Sequence, residues 1–195
     1  MKSVLLSVQP KWCELIASGK KTVEVRKTKP KLPTPFKCYI YESSGNHRVG
    51  NENFNVYLKG KGRKKVIGEF VCNCIEEYES EFVDDDCFEW IASIDRDEHG
   101  DITGFYEWTN ELDIPYINTN FFRKCCVGYE DLKKYIGIGI DTFYGWHISD
   151  LVIYDKPKKI NEFVSASKLN TNCFGQHLKR LDRPPQSWCY VEVLK

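Results

Sequence analysis

The feature that most constrains this chain is a short segment near the N-terminus, where a helix, a glycine and a charged strand follow one another. Residues 10–18 are predicted to form the helix, because a proline fits its first turn and Gly19 provides a stop. Residues 22–26 alternate like a strand, with two valines on one face. The other face and the residue just before the strand bring three charged side chains together: Lys21, Glu24 and Arg26.

These three side chains have the chemistry to bind an anion or a polar ring. Arg26 offers a planar fork for phosphate or carboxylate, and Lys21 offers a point charge. Glu24 can accept hydrogen bonds from an exocyclic amine or act as a base. The structural alternative is an ion pair between Glu24 and Arg26, which lie two residues apart on one strand face.

The spacing Gly19-x-Lys21-x-x-Glu24-x-Arg26 resembles the G-x-K-x-x-E-x-R signature of the ASCH domain, a small β-barrel of the PUA-like superfamily. In that family the signature lies between the first helix and the next strand and lines a cleft. The resemblance extends into the second half of the chain, where a helix precedes a strand that contains Trp and His. It implies an α+β fold, a PUA-like β-barrel of the ASCH type with two main helices and a mid-chain acidic insertion.

Six strands and two helices are predicted to form this barrel. The helices are expected at residues 10–18 and about 129–136. The strands are expected at residues 4–8, 22–26, 36–41, 66–75, 146–154 and 188–194. Residues 1–195 are predicted to be a single domain with insertions at about 42–65, a polar excursion, and 76–120, which holds a hairpin or a short helix.

The resemblance implies that the cleft binds RNA, a nucleotide or a modified base. Proteins hold single-stranded or flipped bases by stacking on aromatic rings and by hydrogen bonds to polar edges. Besides the three charged side chains, the candidate ligand-binding residues are Trp12, Thr22, Tyr144, Trp146 and His147. Packing in the protein core is the alternative for each aromatic ring and for the histidine.

A hydrolase is the second functional hypothesis. Small bacterial ASCH proteins that resemble this chain hydrolyse acetylated cytidine with a lysine, a threonine three residues later and a carboxylate from a later helix. The lysine corresponds to Lys21 and the carboxylate to Asp131, or to Glu130 if the helix shifts by one residue. Glu24 occupies the threonine position, so that nucleophile is missing. A different hydrolysis, in which Glu24 or Asp131 activates water beside Lys21, stays open.

The charges are distributed unevenly along the chain. The formal net charge is zero, with 28 basic and 28 acidic side chains. Residues 1–37 nevertheless contain nine Lys or Arg and two acidic residues, whereas residues 76–113 contain fifteen acidic residues and only Arg96 as a cation. A positive and a negative region are therefore expected. Zero net charge argues against tight, non-specific coating of a long polyanion.

The nine cysteines are interpreted as reduced thiols of a cytoplasmic protein, because no export signal and no membrane-spanning stretch is visible. The fragments Cys72-x-Cys74 and Cys125-Cys126 lack the paired Cys-x-x-Cys sets of common zinc sites. The sequence thus predicts no metal site, no cofactor and no membrane partner.

Overall fold

The computed structural model describes residues 2–45, 47–51, 54–58, 60–82, 90–109, 119–166 and 180–193. The chain divides into two compact units. The first consists of residues 1–18, 36–71 and 150–195, and the second of residues 19–35 and 72–149.

Each unit is built on one main sheet. The strands and α-helices of the described residues follow in this order: β1 (Ser3–Val8), α1 (Pro10–Ala17), β2 (Val23–Arg26), β3 (Phe36–Glu42), β4 (His47–Asn51), β5 (Phe54–Leu58), β6 (Lys65–Cys72), β7 (Ile75–Phe82), β8 (Trp90–Arg96), β9 (Ile102–Thr109), α2 (Thr119–Cys125), α3 (Tyr129–Ile136), β10 (Gly139–His147), β11 (Ser149–Lys158), β12 (Phe163–Ser165) and β13 (Trp188–Val193).

The first unit contains a six-stranded sheet in the order β11-β6-β3-β1-β13-β12. Strand β1 is central; it runs parallel to β3 and antiparallel to β13. Its apolar run is buried, as expected for a strand covered on both faces. Leu5 packs in a cluster with Tyr39, Val66, Phe163 and Val191. The N- and C-terminal strands therefore share one sheet, as predicted.

The second unit contains a five-stranded sheet in the order β2-β10-β7-β8-β9. The residues from β2, β7 and β10 that face its core pack with side chains of α2 and α3. The Phe143 and Tyr78 rings stack with centroids 5.1 Å apart. A Cβ atom at Gly145 would lie 3.1 Å from Val23 and 3.2 Å from Tyr78, so a glycine lets these elements pack closely.

Two predicted strands are wrong as single elements. The expected strand at 66–75 ends at Cys72, and β7 of the other sheet begins at Ile75. The expected strand at 146–154 is divided in the same way, because β10 ends at His147 and β11 of the first unit follows. Asp150, with φ of 47°, takes a left-handed conformation at this change of sheet, which aspartate tolerates better than most residues. Hydrophobic alternation does not reveal such a break.

Both predicted helices are confirmed as α1 and α3, whereas α2 was not predicted. The first predicted insertion, at about residues 42–65, contains the β4–β5 hairpin. The second, at about residues 76–120, contains β7 and the β8–β9 hairpin, and a hairpin was one of the two structures predicted there. The strand pairings of the described residues give open sheets, so closure into a barrel stays a prediction. The single-domain assignment also stays a prediction.

The cysteines of the described residues are free thiols: Cys13, Cys38, Cys72, Cys74, Cys125, Cys126 and Cys189. Burial raises the pKa of the Cys72 thiol to about 12, so this sulfur is unreactive at neutral pH. Within the described ranges, no helix is long and apolar enough to cross a membrane.

Candidate functional site

Strand β2 carries the candidate site at one edge of the five-stranded sheet. It pairs with β10 so that Glu24 lies opposite Trp146 and Arg26 opposite Tyr144. Directly opposed residues of an antiparallel pair lie on the same face. These four side chains therefore share one face, and the valines of β2 point to the core on the other face. The predicted alternation of β2 is confirmed.

Lys21, Glu24 and Arg26 form one contiguous cluster, called here the charged triad. The Lys21 ammonium donates to the Cys125 carbonyl oxygen at 2.5 Å and lies 3.3 Å from Glu24 Oε2. Arg26 Nη2 is 2.8 Å from Glu24 Oε1, so the ion pair that the sequence predicted is present. The triad is buried, with Lys21 2% exposed and the other two residues 6% exposed.

Burial makes the triad unusual. Two cations and one carboxylate withdrawn from water lose much hydration free energy, and their mutual attraction often does no more than offset that loss. A buried ion cluster is therefore weak evidence of a stabilising role.

The position of Lys21 follows from the backbone on either side of it. Gly19 has φ of 71°, a left-handed conformation that favours glycine, and it turns the chain after α1. The Thr22 amide donates to the Lys124 carbonyl at 2.8 Å, and the Thr22 carbonyl accepts from the Ile148 amide at 2.9 Å. These two bonds tie the segment before β2 to the end of α2 and to the end of β10.

The aromatic rings on the triad's face differ in exposure. Trp146 is fully buried, which matches the core-packing alternative. Tyr144 is half-buried, and the Lys29 ammonium lies 4.9 Å from the centroid of its ring. A further ring, Tyr135, belongs to α3 and is 42% exposed. Burial raises the pKa of Tyr135, while Arg26 lowers it and Glu24 raises it by smaller amounts. Sequence reasoning missed Tyr135.

The remaining predicted site residues are not members of the triad. Trp12 belongs to α1 in the first unit, half-buried, with the Lys11 ammonium 4.1 Å from its ring centroid. Asp131 is exposed in the first turn of α3, and the Thr22 side chain is exposed. His147 lies opposite Val23, and its Nε2 atom is 3.0 Å from Glu76 Oε2.

A second charged cluster lies next to the triad on the same sheet. Glu77 is the cross-strand neighbour of Tyr144, and its oxygens lie 2.6 Å from the Lys29 ammonium and 2.7 Å from Arg96 Nη2. Burial raises the pKa of Glu77, but hydrogen bonds from Lys29 and Arg96 outweigh that effect and hold the pKa below its ordinary value. Sequence reasoning missed Glu77 and Arg96, although the isolation of Arg96 in an acidic segment was a signal.

Fold and sequence define the class of protein: an α+β chain in which a Gly-x-Lys-x-x-Glu-x-Arg segment lies between the first helix and the next strand. The profile of the ASCH domain matches residues 6–134, so the chain belongs to the ASCH domain family.

Solved structures agree with this assignment. The crystal structure of ASCH from Zymomonas mobilis is similar with a TM-score of 0.51 and 16% identity, over 99% of this chain and 87% of that chain. A tyrosine-to-phenylalanine mutant of the Zymomonas mobilis protein gives a TM-score of 0.51 and 18% identity, over 100% of this chain and 91% of that chain. At these identities the likeness concerns the fold alone. No curated protein matches the chain significantly.

Proposed function

We propose that the protein binds RNA or a nucleotide through the charged triad, on the PUA-like barrel that the family resemblance implies. The observation that carries this proposal is the cross-strand placement of Arg26 opposite the half-buried Tyr144, with Glu24 in contact with both Arg26 and Lys21. Guanidinium and ammonium groups are the ligands that phosphate prefers, and an aromatic ring beside them provides a surface for a base.

The exposed lysines around β2 add a phosphate-binding surface to the site. Lys20, Lys27, Lys29 and Lys31 have exposed side chains. Contacts of this kind position a nucleic acid without reading its sequence, whereas Arg26 and Glu24 would contact the edge of a base or the phosphate next to it. A cytoplasmic location, expected from the reduced thiols, belongs to the same proposal.

The hydrolase hypothesis is the weaker of the two. Glu24 stands where the bacterial enzymes carry their nucleophile, so the covalent step of those enzymes has no counterpart at this position. Binding therefore explains the geometry with fewer additional requirements.

Binding through these cations predicts a moderate dependence on salt. Each phosphate contact with a single strand contributes about −0.7 to the slope of log K against log salt concentration. Three or four contacts therefore predict a slope of roughly −2 to −3. Fluorescence anisotropy with short labelled RNA and DNA oligonucleotides at several salt concentrations measures it.

The double variant K29E/K31E is expected to flatten this slope, because it reverses two exposed charges. The matched control is K156E/K159E, which reverses two exposed lysines of the first unit. Equal slopes for the two double variants would contradict the assignment of the basic surface. No binding by the unaltered protein, even at low salt, would exclude nucleic-acid polymers as ligands.

A further inference from the structure

The second unit contains a cavity of about 580 Å³, and of its wall residues only Lys29 belongs to the proposed site. This volume lies in the range of small-ligand sites. The residues that line the cavity include both partners of Glu77, namely Lys29 and Arg96, and a second group formed by Glu76, Tyr78 and Lys124. The cavity therefore has three cations and three carboxylates in its wall, the third carboxylate being that of Asp95.

One wall residue of the cavity, Glu77, lies in the same row of the sheet as Arg26 of the triad. Arg26 lies opposite Tyr144, and Tyr144 lies opposite Glu77 on the next strand. Two strand spacings separate Arg26 from Glu77, about 10 Å. The Lys29 ammonium contacts Glu77 and lies over the Tyr144 ring, so it joins the cavity wall to the aromatic ring beside the triad.

We propose that this cavity is a second nucleotide subsite and that the natural ligand is a single-stranded nucleic acid of at least two nucleotides. The inference rests on the proposed function, because it places one nucleotide at the triad and its neighbour in the cavity.

The cations of the cavity retain donors for a phosphate. The Lys29 and Arg96 side chains are 46% and 34% exposed. Lys29 has three N–H donors and gives one to Glu77. Arg96 has five N–H donors. Its Nε donates to Glu77, and its Nη1 donates to the Gly100 carbonyl. Lys124, half-buried, carries a third positive charge in the cavity wall.

Glu76 provides an acceptor that neighbouring side chains hold in place. The Tyr78 hydroxyl donates to Glu76 Oε2 in a short hydrogen bond, and His147 Nε2 lies 3.0 Å from the same oxygen. The close contact with His147 is the main reason that the pKa of Glu76 lies below its ordinary value, so the carboxylate is ionised at neutral pH. An ionised carboxylate near cations suits a ligand that has both amino or hydroxyl donors and a phosphate, as a nucleotide does.

Lys124→Gln tests the subsite. Binding of a labelled single-stranded RNA of about eight nucleotides is expected to weaken about tenfold, a typical effect for one charged hydrogen bond, with the salt slope reduced by about 0.7. Binding of cytidine monophosphate, measured by calorimetry, is expected to keep its affinity, since one nucleotide occupies the triad. Arg96→Gln is a second variant in the same cavity, and Lys156→Gln in the first unit is the control.

The outcomes separate this inference from the proposed function. Unchanged RNA affinity and slope in both cavity variants, while Arg26→Ala loses binding, would overturn the subsite and leave the triad as the site. A similar loss for RNA and for cytidine monophosphate in Lys124→Gln would also overturn it. If the unaltered protein binds neither ligand, both proposals fail.

Discussion

Replacing Glu24 by alanine is expected to lower the free energy of unfolding by about 3–5 kcal/mol. The carboxylate lies between Lys21 and Arg26, and all three side chains are buried. Its removal leaves two cations close together in a site that water reaches poorly. Urea denaturation followed by circular dichroism measures the change.

Glu98→Ala provides the matched control, because the Glu98 side chain is 87% exposed. Its expected effect stays within about 0.5 kcal/mol, as for most surface substitutions. A loss below about 1 kcal/mol for Glu24→Ala, the value of an exposed ion pair, would contradict the buried arrangement of the triad.

Arg26→Ala is expected to weaken RNA binding at least thirtyfold, because truncating one partner of a buried charged contact costs about 2–5 kcal/mol in binding. The preference among bases is also expected to change, since Arg26 lies opposite the half-buried Tyr144 on the same sheet face. Anisotropy titrations with oligonucleotides of different sequence measure both effects.

Two further variants test whether the loss of binding is specific to the guanidinium group of Arg26. Arg26→Lys keeps the positive charge and loses the planar fork, so an intermediate affinity is expected. Arg183→Ala removes an exposed arginine of the first unit and is expected to bind like the unaltered protein. Equal losses for Arg183→Ala and Arg26→Ala would contradict a specific role for Arg26. Thermal unfolding of each variant shows whether the fold is retained.

Local patterns predicted the elements that depend on neighbouring residues. The helix stop at Gly19, the alternation of β2 and the ion pair of Glu24 with Arg26 depend on residues at most a few positions apart. Both main helices were also predicted from local signals. The signals are the first-turn proline and the Gly19 stop in α1, and the terminal charges and Gly137 in α3.

Features that depend on distant residues were not predicted. The division of residues 146–154 between two sheets depends on which strands lie beside each half, and the alternation is the same in both halves. The pairing of Glu77 with Lys29 joins residues 48 positions apart, and no local pattern marks it. The burial of Lys21 likewise depends on the Cys125 carbonyl, 104 residues away along the chain.

The central claim, that nucleic acid binds on the face of β2 and β10, is tested most directly by photo-crosslinking. A short single-stranded RNA containing 4-thiouridine is irradiated with the protein, and mass spectrometry identifies the linked peptides. Crosslinks to Tyr144 and to the lysines of residues 20–31 are expected, and they should disappear in Arg26→Ala. Crosslinks confined to peptides of the first unit, such as the one that holds Trp12, would contradict the account.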